Sequence, residues 1–159
     1  MKTLFSAIII AMLIFSAFSC TSKEKAQLTN QEEEQIKKEI IATDDSIMAR
    51  FDKFDVDGAL KFYLPNFAVY GDEKGSLEQY RTYCKNTYDT LASYKWTSYN
   101  IDFLCITKEK VIISQDAKNE WVTKNGKTGS FYPCHYTFGF AKTSSGWKLF
   151  YHHFTGRLN

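Results

Sequence analysis

The sequence lacks a surplus of either charge. Its 20 Lys and Arg stand against 18 Asp and Glu, a formal net charge of +2 over 159 residues. A nucleic-acid binder needs a basic patch to displace counterions from phosphates, and so even a balance does not supply one. Proline and glycine are scarce, at two and eight residues. No Gly-rich phosphate loop and no Gly-x-Ser-x-Gly nucleophile turn is present, so no cofactor is expected. Cysteine is limited to Cys20, Cys84, Cys105 and Cys134, spaced too widely for a zinc pattern. Internal repeats are absent. The single long apolar run, Leu4 to Phe18, is interrupted only by Ser6 and Ser16. It is shorter than the roughly 20 residues that span a bilayer, which disfavours a permanent transmembrane helix.

What that run does contain is an export signal. Lys2 gives a positive start, and Ala17-Phe18-Ser19 leads into Cys20 with small residues where signal peptidase needs them. The same residues before a cysteine resemble a bacterial lipobox, which implies cleavage before Cys20 and its acylation. Ala17 stands where that motif prefers Leu, and Ser19 where it prefers Ala or Gly. Plain secretion, with Cys20 cut but not acylated, and an uncleaved anchor are the alternatives. The expected organisation is a signal peptide at 1–19, a lipidated Cys20 and polar tether at 20–30, and one domain at 31–159. The expected location is the cell envelope, with the chain anchored to a membrane through Cys20. Several acyl chains on one cysteine anchor stably where one would not.

Aromatics are abundant, at 16% with 13 Phe and 10 Tyr. They can fill a core, line a pocket or cover an interface. Thr29 or Asn30 caps a first helix, with Glu32 to Glu34 in its opening turn. Ile36, Ile40, Ile47, Met48, Phe51 and Phe54 share one helical stripe. A short second helix starts near Asp55 or Asp57 and stops before Pro65. Phe67 to Tyr70 is a short strand. A third helix follows Gly75, with Leu77, Tyr80, Cys84, Tyr88 and Leu91 on its inner face.

From Tyr94 onward, strand-like runs alternate with turn signals at Thr107–Lys110, Asn125-Gly126 and Thr143–Gly146. The pattern is an α+β domain, with helices on one face of a curved antiparallel meander. Asn125-Gly126 is the strongest hairpin signal. It sets Asn119 opposite Tyr132, Ala117 opposite Cys134, Gln115 opposite Tyr136 and Ile113 opposite Phe138. A four-residue turn at Thr143–Gly146 sets Phe140 opposite Leu149, Phe138 opposite Tyr151 and Tyr136 opposite His153. One face then carries Val111, Ile113, Gln115, Ala117, Asn119 and Trp121 with Tyr132, Cys134, Tyr136, Tyr151 and His153. The other carries Ser114, Asp116, Lys118 and Glu120.

This order of elements resembles the nuclear transport factor 2-like superfamily, of the SnoaL-like kind. Two segments carry the resemblance. In Phe51 to Tyr63 an acidic residue precedes Ala59-Leu60 and an aromatic. In Gly146 to Thr155 a Gly146-Trp147 pair is followed by His153 and Thr155. The resemblance implies a cone-shaped, cystatin-like roll with three helices on a curved sheet. It implies no single activity, because the superfamily houses isomerases, dehydratases, hydrolases, ligand binders and dimerisation modules.

Gln115, Asn119, Tyr132, Tyr136, Tyr151 and His153 are the expected pocket residues for a small, partly apolar ligand. His153 is the candidate acid–base group or hydrogen-bond anchor, against a purely structural role. Asp102 is its candidate carboxylate partner if the protein is an enzyme. A third reading is a scaffold whose cone is filled. Cys134, His135, His152 and His153 cannot converge on a metal, since neighbours on a strand point to opposite faces. Phe131, His135, Phe150, His152 and Phe154 are expected on the outer face, where a homodimer would cover them.

Overall fold

A computed structural model describes residues 28–66, 69–70 and 73–158, with the backbone alone at 69–70 and 73–74. The export signal, Cys20 and most of the tether lie outside the described residues, as do Phe67 and Ala68. Helix α1 spans Asn30–Phe51. Thr29 caps it: its hydroxyl accepts from the Glu32 N–H at 3.2 Å, and the Glu32 carboxylate accepts from the Thr29 N–H at 2.9 Å. Its buried stripe is Ile36, Ile40, Asp44, Ile47 and Phe51, so an acid sits among the apolar residues. Phe54, with φ of 59°, closes the turn after the helix. Asp55 then caps α2, Val56–Leu60, by accepting from the Gly58 N–H at 2.9 Å.

Two short strands follow, β1 at Val69–Tyr70 and β2 at Glu73–Lys74. Helix α3, Leu77–Asp89, opens on a second reciprocal cap between Ser76 and Gln79 and buries Tyr80 and Cys84. The main sheet is an antiparallel meander in chain order: β3 Leu91–Ile106, β4 Lys110–Thr123, β5 Thr128–Thr143 and β6 Gly146–Leu158. The helices pack on its inner face over Val111, Ile113, Phe138, Phe140 and Leu149, all fully buried. Exposing any of these would forfeit roughly 1.5–3 kcal/mol of apolar burial. The α+β architecture expected from the sequence is the one observed.

The register departs from expectation at two places. Ala117–Cys134, Gln115–Tyr136 and Ile113–Phe138 pair as predicted, but Asn119 pairs with Phe131, not Tyr132. A bulge at Tyr132-Pro133 separates the two stretches. Proline has no N–H to give the ladder, so pairing breaks there and the extra residue is expelled. Tyr132 is 49% exposed. In the last hairpin Phe140–Leu149 pairs as predicted, but Gly139 pairs with Tyr151, Phe138 with His152 and Tyr136 with Phe154.

Phe150 is the inserted residue of this second bulge. Its ring lies 2.7 Å from where a Cβ on Gly139 would be, so only glycine lets it settle there. A one-residue slip turns every later side chain over. His152 and Phe154 therefore point inward, while Tyr151 and His153 pair along the outer face. Three of the five residues expected outside, Phe131, His152 and Phe154, are thereby removed from it.

Candidate functional site

The interior opens into a cavity of about 620 Å³ between α3 and the sheet. Helix α3 contributes Tyr80, Tyr83, Cys84 and Tyr88; β3 contributes Leu91 and Tyr94. Asn119 and Trp121 come from β4, Phe131 and Tyr136 from β5, and His152 and Phe154 from β6. Strand alternation explains the set, because each strand presents every second residue to this side. The two bulges explain why Phe131, His152 and Phe154 replace Tyr132, Tyr151 and His153.

Tyr136 is the centre of the wall. Its ring lies 4.5 Å from Trp96, 4.9 Å from Phe154 and 5.6 Å from His152 between centroids. The Asn119 amide donates to its hydroxyl at 2.7 Å. Tyr80 meets His152 edge-on at 5.8 Å and packs against Tyr63 at 5.7 Å. Such offset and edge arrangements suit the ring quadrupoles.

Burial sets the protonation states here. It lowers the His152 imidazole to about 3, with the charge of His153 adding to the effect. His152 is therefore neutral across the physiological range. Burial also pushes the Cys84 thiol up to about 12, which removes it as a nucleophile. The phenols of Tyr80, Tyr88, Tyr94 and Tyr136 are raised by the same cause and stay protonated. Among the described residues, no carboxylate, lysine or arginine lines this cavity. Chemically it can stack flat apolar groups and exchange hydrogen bonds with uncharged polar ones.

The expected site residues separate into three groups. Asn119 and Tyr136 line the cavity. Gln115 is buried deeper, donating to Asp44 at 2.7 Å and to Ser98 at 2.9 Å. Tyr132, Tyr151, His153 and Asp102 do not face the interior. Asp102 is exposed and pairs with Ser114, a residue of the outer face. It accepts from Asn100 at 3.4 Å. Asp102 and His153 thus do not form an interior acid–base pair. Cys84, Cys105 and Cys134 carry free thiols, the first and last buried. Among the described residues no three His, Cys, Asp or Glu side chains gather where a metal ion would fit.

Three residues that matter were missed. Asp44 falls on the stripe of Ile36, Ile40, Ile47 and Phe51, so helical periodicity already placed it inside. Burial raises its carboxyl to about 6. His152 required knowledge of the second bulge. Asp52 caps the end of α1 and accepts from the Trp96 N–H at 3.1 Å. Burial raises its pKa, and its charge in turn raises that of Tyr94 in the cavity wall.

The sequence matches no protein-family model and no curated relative. Solved structures with the same architecture do exist. A candidate scytalone dehydratase from Novosphingobium aromaticivorans superposes with a TM-score of 0.72 at 8% identity, covering 80% of this chain and 88% of that one. A candidate aromatic ring hydroxylase from the same organism gives 0.69 at 15% identity, covering 84% and 95%. A nuclear transport factor 2-like protein from Salmonella enterica gives 0.70 at 16% identity, covering 77% and 92%. At such identities the likeness concerns the fold. With its helices on a curved four-stranded sheet and its cavity between them, this chain has the nuclear transport factor 2-like cone fold.

Proposed function

We propose that the protein is a membrane-tethered binding domain of a bacterial cell envelope, whose cavity takes a small, uncharged, largely aromatic ligand. The observation that carries this reading is the cavity wall, which offers rings, hydroxyls and an amide but no charged group. A charged ligand entering it would lose its hydration without gaining a counter-ion. The tether rests on the sequence before Cys20. Mass spectrometry of intact protein purified from membranes tests both halves: acyl chains on Cys20, and a bound small molecule that His152→Ala releases. Retention of the same molecule by that variant contradicts the assignment of the site.

The second reading is an acid–base enzyme, favoured by Asp52, a carboxylate of raised pKa whose charge is felt at Tyr94. One of the similar structures bears a dehydratase's name. Turnover of the co-purified molecule that Asp52→Asn abolishes would decide for it. Pairing of two copies through the outer face is proposed on the row Cys105, Ile112, Gly139 and Tyr151, which crosses all four strands. A sedimentation mass equal to one chain would contradict it.

A further inference from the structure

Asp44 is the one carboxylate among the described residues that is fully buried, at 2% exposure on α1. It faces Gln115, at 1% on β4. The Gln115 amide nitrogen uses its two hydrogens on Asp44 Oδ2, at 2.7 Å, and Ser98 Oγ, at 2.9 Å. Two oxygens are left over. Asp44 Oδ1 and Gln115 Oε1 are both buried, and neither has a hydrogen-bond partner. An ionised Asp44 has no hydrogen to give, so both acceptors would remain unsatisfied. A single proton on Oδ1 answers both at once. An acid–carboxamide ring, with N–H to oxygen on one side and O–H to oxygen on the other, would satisfy both.

We propose that Asp44 is a structural proton site: the folded protein holds it as a neutral acid donating from Oδ1 to Gln115 Oε1, and its ionisation loosens α1 from the sheet. Burial is the main force against ionisation, and neighbouring Asp45 on α1 acts in the same direction. Gln115 acts the other way, and the buried Tyr63 phenol feels the Asp44 charge. Gln115 and Ser98, facing it from β4 and β3, carry no charge.

The sign follows from proton counting. An unfolded aspartate ionises near 3.9, whereas Asp44 in the fold titrates at about 6. Between those values the folded state holds the extra proton, so rising pH favours unfolding. The loss is complete above about 6 and absent below about 4. His152 contributes with the opposite sign, so the test is a difference between two proteins that both contain it.

Asp44→Asn can keep both bonds, accepting from Gln115 Nε2 and donating to its Oε1, and it does not titrate. Its melting temperature relative to wild type should climb by roughly 5–10 °C between pH 4 and pH 7. A gap that is constant or shrinks across that range overturns the proposal. If the variant does not fold, the carboxyl carbon resonance of Asp44 in the wild-type protein decides. A midpoint near 6 supports the proton site, and a midpoint below 5 overturns it.

Discussion

Two polar pairs occupy the same interior and are built for different purposes. Asn119 and Tyr136 join across β4 and β5 at the wall of an open cavity. Asp44 and Gln115 join α1 to β4 outside that cavity, sealed among apolar side chains. The first pair consists of groups neutral at every physiological pH, beside a histidine that burial also keeps neutral. The second contains a group that titrates. The contrast teaches where recognition and stability reside. The cavity tolerates exchange of partners because a ligand can replace what the wall offers, while the sealed pair has only itself and Ser98.

The sharpest way to separate the two is by pH. In the Asp44→Asn background the Asp44 contribution is gone, and His152 carries the largest shift acting between pH 6.5 and 4.5. An unfolded histidine takes up a proton below about 6.5 and the buried one does not, so stability should fall as pH falls, by roughly 2–3 kcal/mol. Denaturant titrations at the two pH values measure it. A smaller loss, about 1–3 kcal/mol, should follow Gln115→Leu, which strands Asp44 Oδ2 without its donor. Ligand binding should survive that change. Tyr136→Phe reverses the pattern: a stability loss of about 1 kcal/mol with a clear weakening of binding. Last, His153→Ala should stay within about 0.5 kcal/mol of wild type and bind normally, because the side chain lies on the outer face. A large effect there would mean that the last strand is registered as first expected.

The helices, their caps and the meander were legible because periodicity and turn chemistry act locally. The same periodicity reaches Asp44, whose spacing from Ile40 and Ile47 puts it on the buried side, but its charge kept it off the expected stripe. Pro133 carried a local signal for its bulge, since a proline inside a paired strand breaks the ladder, but the expected register ran straight through it. The second bulge left no comparable mark. It depends on Phe150 settling over Gly139, a contact between strands that neither residue signals alone. That one insertion put His152 where Tyr151 was expected and Phe154 where His153 was expected, so the fold could be read while half of the pocket could not.

The central claim, that the cavity recognises uncharged aromatic molecules, is tested most directly by fluorescence. Trp121 lines the cavity and Trp96 packs on Tyr136 at its wall. Titration with 2-naphthol and with 2-naphthoate compares one ring system with and without a charge. Saturable quenching by the alcohol, at least tenfold tighter than by the carboxylate and lost in His152→Ala, is the expected result. Equal affinity for the two, or no saturation by either, would contradict it.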